Sequence, residues 1–187
     1  MKSVLLIGQS NMAGRGFLHE TTPIYNERIF MLRNGRWQMM AEPIHFDRTV
    51  AGIGPASSFA EAWCNANRDK TIGLIPCAEG GSSIDEWQVS GTLFRHAVSE
   101  TRFALENSEL IAILWHQGES DSYGEKYKEY YGKLDRIVNG FRTELGIENV
   151  PFIIGGLGDY WGNLAFGAGC IEYKENQQRS FRKYAEK

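Results

Sequence analysis

Four short runs of apolar residues recur along the chain and predict the strands of a buried sheet. They occupy residues 3–8, 71–75, 110–115 and 151–155. A continuous apolar run of this length, as opposed to an alternating one, is typical of a strand that is covered on both faces. Segments with helical spacing separate the runs, so we predict an α/β fold in which helices cover both faces of a parallel sheet.

The segments between the runs carry signals for helices. Apolar side chains recur every three or four residues over 93–105, which predicts an amphipathic helix. Ser58 stands three residues before Glu61, and Ser122 stands three residues before Glu125. This is the spacing of a capping box, so we predict that helices begin at both serines.

Two further elements complete the expected order. The dipeptide Asn34-Gly35 lies between two strand-like arms in residues 28–39. This pattern predicts a β-hairpin, which we place between the first strand and the first capped helix. Residues 171–185 have a polar, helical pattern and predict a last helix.

Length and charge limit the classes of function. The chain has 187 residues, 42% of them hydrophobic, so we expect a single domain over residues 1–187. The net charge is −3, which disfavours a nucleic-acid partner because no positive field is available for phosphates. The longest apolar run near the N-terminus, residues 4–7, is too short for a membrane span or a signal-peptide core. We therefore predict a soluble, cytoplasmic protein with no membrane partner, and leave secretion open.

The sequence contains no motif typical of a metal site or a nucleotide-binding loop, and it lacks the common GxSxG motif of hydrolases. The three cysteines, Cys64, Cys77 and Cys170, are widely spaced and form no CxxC pair. The chain contains no HExxH, GxxxxGK, GxGxxG or GxSxG motif. We predict reduced cysteines, no metal and no cofactor.

Loops rich in glycine, hydroxyl, amide and carboxylate groups follow all four predicted strands. They cover residues 8–16, 76–83, 116–121 and 155–161. Ligands bind beyond the carboxyl ends of the strands in an open parallel sheet. Because these ends share one edge, we predict that the loops form a single site.

The residues in these loops favour acyl transfer. Ser10 follows the first strand and is the candidate nucleophile. The backbone of Ser10, a glycine at position 80 or 81, and the amide of Gln117 are candidate donors to an oxyanion. Helix capping by Ser10 and a simple turn at the two glycines are the structural alternatives.

Three blocks of the sequence resemble one family. Gly8-Gln-Ser-Asn-Met12, Glu79-Gly-Gly-Ser-Ser83 with Trp87, and Trp115-His-Gln-Gly-Glu119-Ser120 resemble the SGNH hydrolases. More narrowly they resemble the branch of sialate O-acetylesterases and acetylxylan esterases, carbohydrate esterase family 6. The resemblance implies a three-layer α/β/α sandwich with a flavodoxin-like sheet. It also implies a serine esterase that removes acetyl groups from sugars.

The resemblance also assigns roles to residues. Ser10 matches the nucleophile, Gly81 the oxyanion glycine, and Gln117 a position where many members have asparagine. Glu119 matches an acidic residue kept beside the site, with structural binding to backbone N–H groups as the alternative. The residues expected to contact substrate are Gln9, Asn11, Arg15, Gly80 and two tryptophans that could stack on sugar rings, Trp87 and Trp161. For Arg15 the alternative is a solvated charge.

The chain departs from the family pattern at the general base. Members take their base from an Asp-x-x-His motif after a fifth strand, and this sequence has no such motif. Its histidines are His19, His45, His96 and His116. We therefore expect a family member that lacks the C-terminal strand, and homo-oligomers through the apolar edge at residues 151–155. The alternative functions are a non-catalytic or vestigial carbohydrate-binding domain and, ranked last, a flavodoxin-like nucleotide binder.

Overall fold

A computed structural model describes residues 1–122 and 124–158 of the chain. The strands in this part are β1 (Lys2–Gly8), β2 (Ile29–Arg33), β3 (Arg36–Met39), β4 (Ile72–Pro76), β5 (Glu109–His116) and β6 (Phe152–Ile154). The α-helices are α1 (Ser10–Ala13), α2 (Ala56–Ala66), α3 (Thr92–Ala104) and α4 (Tyr127–Leu145). Two short 3₁₀ turns cover Ile84–Trp87 and Glu119–Asp121.

All six strands join in one sheet with the order β3-β2-β4-β1-β5-β6. Every neighbouring pair is parallel except β2 and β3, which form an antiparallel hairpin. The four predicted strands are β4, β1, β5 and β6 in this order, as a flavodoxin-like sheet requires. The predicted α/β fold is confirmed.

Side chains of the central strand alternate between two cores. Leu5 and Ile7 of β1 face a core that also contains residues of α3 and α4. Val4 and Leu6 face a second core with residues of α1 and α2. All four are fully buried. The sheet is therefore the middle layer of three, and its apolar runs need no polar positions because both faces are covered.

The hairpin forms at the predicted dipeptide. Asn34 and Gly35 have φ angles of 53° and 68°, the two left-handed conformations that a tight two-residue hairpin turn needs. Its strand β2 pairs in parallel with β4, so the hairpin extends the sheet on the side away from β5.

Both predicted capping boxes are wrong. Helix α2 begins at Ala56 after Pro55, whose restricted φ suits a helix start, and Ser58 Oγ donates to the Pro55 carbonyl within the first turn. Helix α4 begins at Tyr127, five residues after Ser122.

The capping box that does form precedes Ile84–Trp87. There the Ser83 N–H donates to Glu86 Oε2 at 2.7 Å, and the Ser83 side chain accepts from the backbone of that turn.

The remaining expectations about the ends of the chain stay predictions. The helix over 171–185, Trp161 and Cys170 lie outside the described residues. No helix among those described is both long and apolar enough to span a bilayer.

Helix α4 offers a test of its local energetics at Gly132. A Cβ at this position would meet only Arg136 Nη1, at 3.9 Å. Gly132→Ala should therefore raise the free energy of unfolding in urea by about 0.5–1 kcal/mol, because alanine loses less backbone entropy. A Cβ at Gly140 would lie 2.6 Å from Val89 Cγ2, so Gly140→Ala should destabilise instead. A Gly132→Ala protein no more stable than the wild type would contradict this account.

Candidate functional site

The loop that holds the candidate nucleophile Ser10 begins where β1 and β5 are in close contact. Gly8 has a φ of 128° and lies opposite His116. The next N–H, that of Gln9, donates to the His116 carbonyl at 2.9 Å. Ser10 then opens the short helix α1 and is half-buried. Its N–H occupies the first helical position, where no acceptor exists within the helix.

The Gln9 side chain joins this loop to the loop after β5. It is 3% exposed, and its Oε1 accepts from Gln117 Nε2 at 3.1 Å, from the Gly118 N–H at 3.2 Å and from the Ser120 N–H at 3.4 Å. Gln9 therefore holds two loops together. The expectation that it contacts substrate is corrected, because its side chain is buried and occupied.

The amide of Gln117 is not positioned as a donor to an oxyanion. Gln117 is fully buried, and its Nε2 donates to Ser82 O at 3.1 Å and Asp121 Oδ2 at 2.6 Å as well as to Gln9. Its Oε1 accepts from the Tyr130 hydroxyl at 2.9 Å. Because acceptors in the protein already surround the amide nitrogen, Gln117 is a positioning residue in this structure, which corrects the sequence assignment.

Asp121 is a buried residue that anchors two of the site loops. Its Oδ2 also accepts from the Ile84 N–H at 2.8 Å, so the carboxylate joins the loops after β4 and β5. Burial raises the pKa of Asp121, while the hydrogen bonds from Gln117 and Ile84 lower it.

The two glycines after β4 have different surroundings. Gly80 is buried, and its N–H donates to Asp47 Oδ2 at 2.8 Å, so this N–H is already used. Gly81 is exposed and has a φ of 79°, and a Cβ added there would meet no atom of the described residues within 4 Å. The Gly81 carbonyl accepts from Ser120 Oγ at 3.1 Å. Unlike the Gly80 N–H, the Gly81 N–H donates no hydrogen bond to any of the described residues.

Asn11 and Glu119 form a second link between the loops after β1 and β5. Asn11 Nδ2 donates to Glu119 Oε1. Glu119 is only 4% exposed, and its Oε2 has no hydrogen-bond partner among the described residues. The Glu119 carboxylate therefore binds the side chain of Asn11, which directly follows the candidate nucleophile. The structural alternative was that it binds backbone N–H groups.

The Arg15 guanidinium is paired within the protein, and 25% of its side chain is exposed. Its Nη2 forms an ion pair with Asp47 Oδ2 at 2.6 Å, and its Nη1 donates to the Gly14 carbonyl at 2.6 Å. Asp47 is a residue that sequence reasoning missed. It lies 32 positions after Arg15 on an irregular segment, and no motif marks it.

Trp87 belongs to the core and cannot serve as a sugar platform. It is fully buried, its Nε1 donates to Ser82 Oγ at 2.9 Å, and its ring packs edge-on against Trp115 with centroids 5.6 Å apart. The prediction for Trp87 is therefore wrong. The matching prediction for Trp161 lies outside the described residues.

The four histidines differ in burial. His45 is 3% exposed, and burial lowers its pKa to about 4, so its imidazole is neutral at pH 7. The ring of His116 packs on Gly155, where an added Cβ would lie 2.5 Å from His116 Cδ2. His19 and His96 are exposed. No cluster of three potential metal ligands occurs in the described part of the chain.

The loops after β1, β4 and β5 are thus joined by buried hydrogen bonds through Gln9, Gln117 and Asp121. These hydrogen bonds use neither the Ser10 hydroxyl nor the Gly81 N–H. A hydroxyl nucleophile with nearby backbone donors is the minimum that acyl transfer requires.

Comparisons with known proteins match this chain to carbohydrate esterases. A family model described as "Carbohydrate esterase, sialic acid-specific acetylesterase" matches residues 1–185. A probable carbohydrate esterase of Arabidopsis thaliana is 35% identical over 171 residues, which are 80% of this chain and 66% of that protein. The chain thus spans slightly less than two thirds of this relative.

Solved structures share the fold. An X-ray structure of a protein from Arabidopsis thaliana superimposes with a TM-score of 0.83 at 30% identity, covering 94% of this chain and 80% of that one. The structure of NanS superimposes with a TM-score of 0.74 at 19% identity, covering 95% of this chain and 73% of NanS. The structure of a carbohydrate acetylesterase from Xanthomonas citri superimposes with a TM-score of 0.65 at 18% identity, covering 97% of this chain and 48% of that one. At these identities the last two matches support the fold alone.

Proposed function

Because this chain belongs to the family of carbohydrate esterases described as sialic acid-specific acetylesterases, we propose that it is a serine esterase that hydrolyses acetyl esters on sugars. One observation carries the proposal. The half-buried Ser10 and the exposed Gly81 lie on loops that buried side chains hold together, and neither the Ser10 hydroxyl nor the Gly81 N–H is used by that network.

The proposed reaction has two steps. Ser10 Oγ attacks the acetyl carbonyl carbon, and the negative charge that develops on the carbonyl oxygen is held by the N–H groups of Ser10 and Gly81. The bond to the sugar oxygen then breaks, the sugar leaves with a proton, and the acetyl group stays on Ser10. Water attacks this acyl-enzyme and releases acetate and free Ser10. All atoms come from substrate, enzyme and water, so the steps need no cofactor.

The proton of Ser10 requires a base, and this is where the chain departs from the family. The imidazole groups that the given residues offer are the four histidines described above. His45 and His116 are packed into other contacts, whereas His19 is exposed and follows α1 by six residues. The burial of His45 and of the Gln117 amide favours a second candidate, a carbohydrate-binding domain without catalysis, because it leaves fewer groups for acyl transfer.

A fluorophosphonate probe separates the two candidates. It reacts with serines that are activated for acyl transfer, and peptide mass spectrometry locates the adduct. We expect an adduct on Ser10 in the purified full-length protein. We expect none in Ser10→Ala, and unchanged labelling in Ser58→Ala, which removes an exposed serine of α2. A folded wild-type protein that remains unlabelled at Ser10 would exclude the esterase and leave the binding domain.

A further inference from the structure

Both peptides that flank Gly80 are held by side chains from elsewhere in the sequence, the Glu79–Gly80 peptide by Asp47 and the Gly80–Gly81 peptide by Arg48. Asp47, whose side chain is 2% exposed, accepts the Gly80 N–H at 2.8 Å and Arg15 Nη2 at 2.6 Å with the same oxygen, Oδ2. Charge-assisted hydrogen bonds of this kind are stronger than neutral ones. The loop of the candidate nucleophile is thereby tied through Arg15 and Asp47 to the loop of the oxyanion glycine.

The neighbouring residue Arg48 holds the other end of Gly80. Its Nη2 donates to the Gly80 carbonyl at 3.1 Å and pairs with Glu79 Oε1 at 2.7 Å. A trans peptide is planar, so the carbonyl of Gly80 and the N–H of Gly81 point in opposite directions. By fixing the carbonyl, Arg48 therefore also fixes the direction of the Gly81 N–H.

The fit around Gly80 leaves no room for a side chain. A Cβ at this position would lie 2.1 Å from Arg15 Nη2 and 2.6 Å from Asp47 Oδ2. The two charged groups thus contact the backbone of Gly80 directly. At Gly81, by contrast, the surroundings are open, and only the backbone conformation demands glycine.

We propose that Asp47 and Arg48 act as positioning residues that aim the Gly81 N–H at the oxyanion. This inference rests on the proposed esterase function. A donor contributes to catalysis only when it already points to where charge develops, so an orienting clamp on the preceding peptide changes the rate without touching substrate. Donation from a guanidinium to the Gly80 carbonyl also polarises the peptide and strengthens the Gly81 N–H as a donor.

The chain contains a closely matched control for Arg48. Arg102 Nη2 likewise donates to a backbone carbonyl, that of Glu144, at 2.8 Å and pairs with the Glu144 carboxylate at 2.7 Å. The two arginine side chains are 56% and 58% exposed. Arg48→Ala and Arg102→Ala therefore remove equivalent surface interactions, but only Arg48 holds the peptide of the oxyanion glycine.

We expect Arg48→Ala to lower kcat for an aryl acetate about tenfold, while KM stays within about twofold and Tm follows that of Arg102→Ala. Arg102→Ala should retain the wild-type kcat. Asp47→Ala, which frees both Gly80 and Arg15, should lower kcat about a hundredfold. If Asp47→Ala does not fold, Arg48→Ala and the partial recovery of kcat expected in Arg48→Lys decide the question.

The outcomes separate this inference from the proposed function. A wild-type protein with Ser10-dependent turnover, in which Arg48→Ala behaves like Arg102→Ala, would overturn the clamp and leave the esterase standing. A loss in Arg48→Ala that appears only in KM would also overturn it, because misaligned oxyanion donors act on the transition state. A wild-type protein without Ser10-dependent turnover would overturn both.

Discussion

Replacing Ser10 with alanine is expected to lower kcat for hydrolysis of an aryl acetate by at least about 10⁴-fold, because no other group forms the acyl-enzyme. The fold should be unaffected. Ser10 is half-buried, and its side chain makes no hydrogen bond that the substitution would leave unpaired in the described part of the chain. The measurement is steady-state hydrolysis of 4-nitrophenyl acetate, with the free energy of unfolding determined in parallel.

The Ser10→Ala comparison needs a control for the loss of a hydroxyl in general. Ser58→Ala removes an exposed hydroxyl whose one hydrogen bond to the described residues goes to the Pro55 carbonyl, so its kcat should equal that of the wild type. Retention of wild-type kcat in Ser10→Ala would show that the attacking group lies elsewhere. A wild-type rate equal to that of buffer would instead favour the non-catalytic binding domain.

The sheet was predictable because burial on both faces leaves a direct trace in the sequence. The four apolar runs became β1, β4, β5 and β6 in the flavodoxin-like order. The position of the hairpin beside β4 was not predictable, since Asn34-Gly35 specifies a turn and says nothing about which strand its arms will pair with.

Helix starts were less predictable, because local spacing does not decide between competing partners. Three serines stand three residues before a glutamate, yet only Ser83 and Glu86 form a capping box. Ser58 lies inside the first turn of a helix that starts after Pro55. Ser122 donates to the Glu119 carbonyl, five residues before α4.

The convergence of the three loops after β1, β4 and β5 was predictable from topology, but the use of each polar group was not. Gln117 was expected to hold the oxyanion, and the structure surrounds its amide with acceptors from residues 4, 35 and 108 positions away. Asp47 was missed for the same reason, because its partners Arg15 and Gly80 are distant in sequence. Which buried donor meets which acceptor depends on tertiary packing, and a single sequence does not encode that in any short pattern.

Gly8→Ala should be the most destabilising of the single substitutions considered. Gly8 has a φ of 128°, which L side chains rarely adopt, and a Cβ there would lie 2.1 Å from the His116 carbonyl oxygen and 2.6 Å from its carbonyl carbon. Both atoms are backbone and cannot rotate away. Relief requires β1 and β5 to separate where Gly8 pairs with His116, which also disrupts the bond from the Gln9 N–H to His116.

For this substitution we expect a loss of about 4 kcal/mol or more in the free energy of unfolding in urea, and a Tm lower by about 10 °C. The control is Gly146→Ala. Gly146 also has a positive φ, 65°, but in the part of the chain that the structure describes no atom lies within 4 Å of its added Cβ, so we expect a cost of about 1 kcal/mol from backbone strain alone. Equal losses in the two variants would mean that β1 and β5 are not pressed together at Gly8. The Gly8→Ala protein that remains folded should also have a lower kcat, because Ser10 lies two residues beyond the displaced contact. A shift of about 1 Å in a nucleophile is enough to slow its attack strongly.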